Sequence, residues 1–108
     1  MALNREGKTI HEIVRNEGSF QHAEKLHPLI QELLVSQNIT SKDLDAIAIS
    51  FGPGSYTGLR IGISAAKGLA YALQIPLITI DTLQILCKSI HVNTGVIIPM
   101  MDARRMEV

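Results

Sequence analysis

The chain has 108 residues, of which 46% are apolar, and its ten basic residues balance ten acidic ones. This composition suits one globular lobe, and the balanced charge gives no electrostatic footprint for direct RNA binding. The single cysteine, Cys87, excludes an intramolecular disulfide, and the chain has neither an apolar run long enough to span a membrane nor a signal-peptide core. We therefore expect a cytoplasmic lobe, without membrane contact, in which Cys87 is a buried thiol.

The first forty-five residues predict a hairpin followed by a helix. The tetrapeptide Arg5-Glu6-Gly7-Lys8 is typical of a hairpin turn, and an apolar pattern over 9–15 predicts the second strand. Leucine and isoleucine then recur at helical spacing, which predicts a helix from about residue 21 to residue 37. The polar residues of 38–44 favour a short capped turn.

Strands and helices alternate from residue 45 onward. The predicted elements are a strand over 45–51, a helix that ends near 74, a strand over 76–80, a helix from 81 or 82 toward 90, and a strand over 95–101. Pro99 indicates a strand end, an edge or a bulge in the last of these. This order predicts an α/β fold in which one mixed sheet has helices on both faces.

A glycine-rich turn, residues 52–58, joins the predicted strand to the long helix. Ser55 or Thr57 can cap that helix, and the free N–H groups at its start suit an anion. The turn lacks the Gly-Lys-Ser/Thr of a P-loop and the spacing of a dinucleotide site. A sharp structural turn is the alternative interpretation. The candidates for an anion site are Gly54, Ser55, Thr57 and Arg60.

The long helix has three distinct sides at 100° per residue. The polar stripe consists of Arg60, Ser64, Lys67, Tyr71 and Gln74. The bulky side, suited to a sheet, consists of Leu59, Ile63, Ala66, Ala70 and Leu73. The small-residue face consists of Gly58, Gly62, Ala65, Leu69 and Ala72. Such a face lets another helix approach closely, and Leu34 of the first helix could extend it. The approaching helix belongs either to the same lobe or to another subunit.

No catalytic or metal-binding set can be assembled with the expected spacing. His22 and His27 lie five residues apart, so they do not share a helical face as i, i+4 ligands do. Asp43 and Asp45 are better explained as a cap and a turn residue than as a carboxylate pair. We therefore expect no catalytic residue, no metal and no cofactor.

The segment Ser-Phe-Gly-Pro-Gly-Ser-Tyr-Thr-Gly-Leu-Arg-Ile-Gly-Ile over 50–63, continued by 65–70, closely resembles the signature of the glycoprotease-like TsaB family. Residues 81–83 and 101–108 resemble later landmarks of that family, so the resemblance covers essentially the whole chain. It implies an actin-like, ribonuclease-H-like fold, of which residues 1–108 would form a partial N-terminal lobe. The family's first strand and second lobe are expected to lie beyond the two ends.

In that family fold the first strand lies between the hairpin and the parallel strands. Its absence would remove the central ladder of the sheet. We therefore expect the 108-residue chain to be poorly stable by itself.

The resemblance also implies a function. TsaB-like proteins are non-catalytic scaffolds whose first two helices bind a TsaD-like protein or a second copy, which supports threonylcarbamoyl transfer to the tRNA adenosine beside the anticodon. A TsaE-like ATPase and a TsaC-like protein act in the same pathway. Asp102, Arg104 and Arg105 resemble a family turn that either contacts an anion or nucleotide or is a solvated loop. The rival hypothesis is a TsaD-like enzyme or another ATP- or metal-dependent enzyme of actin-like fold.

Overall fold

The structure, a computed structural model that describes residues 1–14 and 22–103, divides into two units, Met1–Asp45 and Ala46–Val108. The first unit begins with an antiparallel hairpin of β1, Ala2–Arg5, and β2, Lys8–Glu12. Glu6 and Gly7 form the two-residue turn with φ of 51° and 77°. Positive φ at both positions matches the twist of the two strands, and the predicted hairpin is confirmed.

Helix α1, His22–Ser36, packs against the hairpin strand β1. Its length matches the predicted helix to within one residue at each end. Leu33 and Leu34 are buried together with Leu3 of β1 and form the core of the first unit. The half-buried side chains that pack against this core are Ile13, Ile30, Ile39 and Leu44.

A short 3₁₀ turn, Ser41–Asp43, follows α1 and is closed by its own side chains. One carboxylate oxygen of Asp43, Oδ2, accepts hydrogen bonds from the backbone N–H and the hydroxyl of Thr40, at 2.8 and 2.7 Å. The hydroxyl bond and then the backbone bond favour the charged carboxylate, so they hold the pKa of Asp43 below its ordinary value. Asp43 is therefore a capping residue, as predicted.

The second unit is a β-α-β unit followed by a short helix. Strands β3, Ile47–Gly52, and β4, Leu77–Asp81, pair in parallel, with Ile47 opposite Leu77. Helix α2, Tyr56–Leu73, makes the crossover that parallel strands require, and α3 spans Thr82–Lys88. Ala66 and Ala70 of α2 are buried in this unit.

The caps of α2 and α3 explain where these helices begin and end. Ser55 caps α2. Asp81 caps α3, because its Oδ1 accepts hydrogen bonds from the backbone N–H groups of Leu83 and Gln84, at 2.8 and 3.1 Å. At the end of α2, Gln74 adopts a left-handed conformation with φ of 56°. Ile75 then donates to the carbonyl of Ala70 at 3.1 Å, so the helix stops before Pro76 as predicted.

The single mixed sheet predicted from the sequence is not formed among the described residues. The hairpin and the parallel pair are two separate two-stranded sheets. The predicted strand over 95–101 is also wrong, because that segment pairs with no other strand. Its side chains alternate between exposed and half-buried, with Val96 87% exposed. The segment therefore forms no ladder with another described strand, and Pro99 lacks the N–H that a ladder would need at its position.

The prediction that Cys87, on α3, is a buried thiol is wrong. Cys87 is half-buried rather than buried, and Ile85 and Leu86 on the same helix are exposed. A helix of seven residues makes only two turns, and in the described structure little protein covers its outer side. None of the described helices is long and apolar enough to cross a membrane.

Candidate interaction surface on helix α2

The sheet-facing side of α2 is the bulky side predicted from the sequence. Ala66 and Ala70 are buried, and the larger side chains beside them, Leu59, Ile63 and Leu73, are half-buried. Helix α2 packs mainly on β3. Small alanines at the centre of the contact let the helix axis lie close to the strand, while the branched side chains fill the margins.

Gly62, predicted for the small-residue face, takes part in this inward contact. A Cβ placed on Gly62 would lie 3.2 Å from Cδ1 of Ile49 in β3, which is tighter than ordinary van der Waals contact. The packing of α2 on β3 therefore explains why a glycine occupies position 62. The sequence placed it on the small-residue face because position 62 lies at the boundary between two sides of the helix.

Leu34, the other residue predicted to extend a partner surface, is only 7% exposed. Its side chain lies in the core with Leu3 and Leu33. This burial leaves it little surface for a partner, and its evident role is to hold α1 on the hairpin.

The outward side of α2 retains the remaining small residues. Gly58 and Ala72 are exposed, and Ala65 and Leu69 are half-buried. Gly68 also faces outward, and a Cβ placed on it would meet no atom within 4 Å. We call the set Gly58, Ala65, Gly68, Leu69 and Ala72 the outward small-residue face.

The polar stripe beside this face is aromatic and cationic. Tyr56 and Tyr71 are 74% and 88% exposed. The Arg60 guanidinium lies over the Tyr56 ring, 5.3 Å from its centroid, and Nη1 donates to the phenol oxygen at 3.3 Å. Lys67 is exposed as well, and no Asp or Glu occurs anywhere in α2. The outer surface of this helix is therefore net positive.

The candidate anion site has structural roles for most of its residues. Ser55 Oγ accepts weakly from the backbone N–H of Gly58 at 3.4 Å, and Gly54 lies beside the Leu59 side chain. Arg60 is directed at Tyr56, while Thr57 is exposed at the first turn. Gly54, Ser55 and Thr57 thus lie at the start of α2, whereas Arg60 lies one turn further along and contacts Tyr56. Anion binding at these residues stays a prediction.

The carboxyl ends of the two parallel strands carry a contact that sequence reasoning missed. The hydroxyls of Ser50, in β3, and Thr82, the first residue of α3, are 2.5 Å apart. The sequence held a signal for it, because Ser50 lies near the end of one predicted strand and Thr82 directly follows the end of the next. The carboxyl ends of neighbouring parallel strands adjoin one another. The contact ties α3 to β3.

Metal ligation finds no geometric support in the described part of the chain. Residues 1–14 and 22–103 contain no group of three His, Cys, Asp or Glu side chains placed to hold a metal ion. His27 is exposed, and the His22 side chain lies outside the described residues. Arg104 and Arg105, predicted to form a family turn with Asp102, lie outside them too.

The hairpin unit and the β-α-β unit are those of an α/β protein, and the comparisons with known proteins fit a lobe of the actin-like, ribonuclease-H-like class. The structure is similar to that of YeaZ from Pseudomonas aeruginosa, with a TM-score of 0.68 and 38% sequence identity. That similarity covers 82% of this chain and 40% of YeaZ.

A family model described as TsaD, tRNA N6-adenosine threonylcarbamoyltransferase, matches residues 9–108, and the chain belongs to this family. The chain is 39% identical over 87 residues to the tRNA threonylcarbamoyladenosine biosynthesis protein TsaB of Bacillus subtilis (strain 168), covering 81% of this chain and 38% of the relative. It is also 39% identical over 72 residues to the tRNA N6-adenosine threonylcarbamoyltransferase of Clostridioides difficile (strain 630). That match covers 67% of this chain and 21% of the relative. The resemblance to TsaB is thus confirmed, and the chain spans about two fifths of the length of that relative.

Proposed function

We propose that this chain belongs to a non-catalytic subunit of the machinery that makes threonylcarbamoyladenosine in tRNA. In this proposal the outward small-residue face of α2 binds a TsaD-like threonylcarbamoyltransferase. The observation that carries the proposal is that α2 exposes this face, in a chain similar to TsaB biosynthesis proteins.

Gly68 supplies the physical argument for a partner. A glycine inside a helix costs about 1 kcal/mol relative to alanine. Internal packing accounts for the small size of Gly62, which touches Ile49, but not for Gly68, which has open space around it. A second helix lying across Gly68 and Ala72 would use that space, because small residues let two helix axes approach closely.

The role that follows is that of a scaffold. The bound transferase moves the threonylcarbamoyl group from its adenylate to the tRNA adenosine beside the anticodon, and this subunit holds the transferase in its active form. A TsaC-like protein supplies the adenylate, and a TsaE-like ATPase acts on the assembly. This lobe itself makes no direct tRNA contact, and the assembly works in the cytoplasm.

Two alternatives to the heterologous scaffold are a homodimer and an enzyme. Self-association as a homodimer would use the same face of α2. A catalytic role is favoured by the transferase description of the family model and by the transferase relatives. A TsaD-like enzyme would bind a metal and would itself catalyse the transfer.

Reconstitution separates the scaffold from the enzyme. We expect the full-length protein to form no threonylcarbamoyladenosine from threonylcarbamoyl-adenylate and tRNA when it is alone. Product should appear when the TsaD-like transferase and the TsaE-like ATPase of the same organism are added, and should fall when this protein is left out. Nucleoside analysis by mass spectrometry measures the product. Turnover by the protein alone would show that it is itself a transferase.

A further inference from the structure

Helix α3 is too short to be stable by itself. Its seven residues, Thr82–Lys88, make about two turns, whereas isolated helices of fewer than about 12 residues form only marginally in water. Local hydrogen bonds support its two ends. Asp81 accepts from the first free N–H groups, and the Ser89 hydroxyl donates to the carbonyl of Leu86 at 2.7 Å. The helix therefore depends on its contact with the sheet.

That contact removes little of α3 from water. Of its seven residues, all of which the structure describes, none is buried. Thr82, Leu83 and Cys87 are half-buried, whereas Ile85 and Leu86 are exposed. Stabilisation by apolar burial is proportional to the area removed from water. Apolar packing consequently holds α3 more weakly than it holds α2, which has two buried alanines.

A pair of hydroxyl groups supplies the long-range polar contact of α3. Ser50 Oγ, in β3, and Thr82 Oγ1 lie 2.5 Å apart in a partly buried position, 32 residues from one another in the chain. In the described structure the other hydrogen bonds of α3 are internal or involve adjoining residues, 81 and 89–90. A partly buried hydroxyl that loses its partner costs free energy. A large share of the attachment of α3 is therefore concentrated in this one bond.

We infer that α3 is a detachable latch: it opens as one piece while β3, β4 and α2 stay folded, and the Ser50–Thr82 hydroxyl pair stabilises its closed position. Local opening of this kind occurs where few apolar contacts hold an element in place. Opening frees the Ser50 hydroxyl near the carboxyl end of β3. The inference does not depend on the partner proposed for α2.

Hydrogen exchange of the full-length protein, followed by NMR, measures the opening of α3 separately from that of α2. The amides of residues 86–88 are bonded within α3 and report its opening. The amides of Ala66 and Ala70 report the opening of α2. In the wild-type protein the α3 amides should exchange at least about tenfold faster than the two α2 amides, because α3 opens while α2 stays folded.

The hydroxyl pair is removed by Thr82→Val, by Ser50→Ala and by the two substitutions together. The matched control is Thr79→Val, which makes the same change at an exposed position on β4. We expect each single variant of the pair to speed exchange at 86–88 about 3- to 10-fold, the effect of losing one hydrogen bond. The double variant should exchange no faster than the single ones, since each of them already removes the same bond. Exchange in α2 and in the control should stay within about twofold of wild type.

Unchanged exchange at 86–88 in both single variants would overturn the inference, because the hydroxyl pair would then not hold α3. Effects that add in the double variant would overturn it too, since each substitution would be acting through a contact of its own. Equal acceleration in α2 would show that α3 opens only when the whole unit unfolds. A response to Thr79→Val as large as that to Thr82→Val would likewise contradict the specific role of the pair.

Discussion

At the scale of single residues, the two interior glycines of α2 have opposite surroundings. Gly68 has open space where a Cβ would go, so Gly68→Ala should raise the free energy of unfolding by about 0.5–1 kcal/mol through helix propensity alone. Gly62→Leu should lower it by about 1–3 kcal/mol, because the new side chain enters the contact with Ile49. Urea denaturation measures both. Equal effects of the two substitutions would show that α2 does not lie on β3 through Gly62.

Asp43 gives a prediction about pH. Because the pKa of its carboxyl is lowered in the folded state, the charged form stabilises the turn above the unfolded pKa, and that stabilisation is lost as the pH falls through the folded pKa. Thr40→Val removes the hydroxyl donor and should raise the pKa of Asp43. A carbon-detected NMR titration of Asp43 measures the shift. An unchanged pKa in Thr40→Val would mean that the hydroxyl bond is not the main cause.

Some residue roles can be predicted from the sequence because they are local. Ser55 and Asp81 bond to N–H groups two or three residues away, so the sequence alone nearly determines these caps. The role of Gly62 depends on Ile49, thirteen residues earlier and on another element. Helical periodicity predicts on which side of a helix a residue lies but not which residue packs against it, so the contact of Gly62 with Ile49 could not be predicted.

At the scale of elements, β3 has a ladder on one edge only in the described structure, where it pairs with β4. Parallel sheets are ordinarily buried on both faces, and independently stable sheets have three or more strands. We therefore expect weak amide protection over Ile47–Phe51 in the 108-residue chain. A polypeptide as long as the TsaB relatives should protect the same amides more strongly. Hydrogen exchange followed by NMR measures both, and equal protection would show that no further strand adds to β3.

The order of elements was predictable because hydrophobic period and turn residues are features of short segments. Both helices with long apolar repeats end within about one residue of the predicted boundaries, and the hairpin turn lies at its predicted place. Strand pairing is a non-local property. Residues 95–101 have the apolar content of a strand, yet no strand in the described structure pairs with them. For the same reason the two sheets could not be told from one mixed sheet.

At the scale of the whole molecule, large apolar side chains are exposed on both units. They include Val14, Val35, Phe51, Ile78, Ile90, Val92, Val96, Ile98 and Met100. We expect part of this apolar surface to contact further protein, within the same polypeptide or in a partner. The family comparison agrees, since the chain spans only about two fifths of the B. subtilis TsaB relative and of YeaZ.

The central claim is that the outward small-residue face of α2 binds a TsaD-like transferase. Ala72 is exposed on that face, and leucine has nearly the helix propensity of alanine, so Ala72→Leu should leave the melting temperature of the full-length protein unchanged. At a close helix contact the added bulk costs about 1–3 kcal/mol, which weakens the Kd about 5- to 150-fold. Lys88→Leu, on α3, is the control and should bind as wild type does.

The decisive measurement is a calorimetric titration of the transferase with the Ala72→Leu protein. The account predicts a clear loss of affinity with an unchanged melting temperature. Wild-type affinity in Ala72→Leu, with the control also unchanged, would contradict the claim that this face of α2 is where the partner binds.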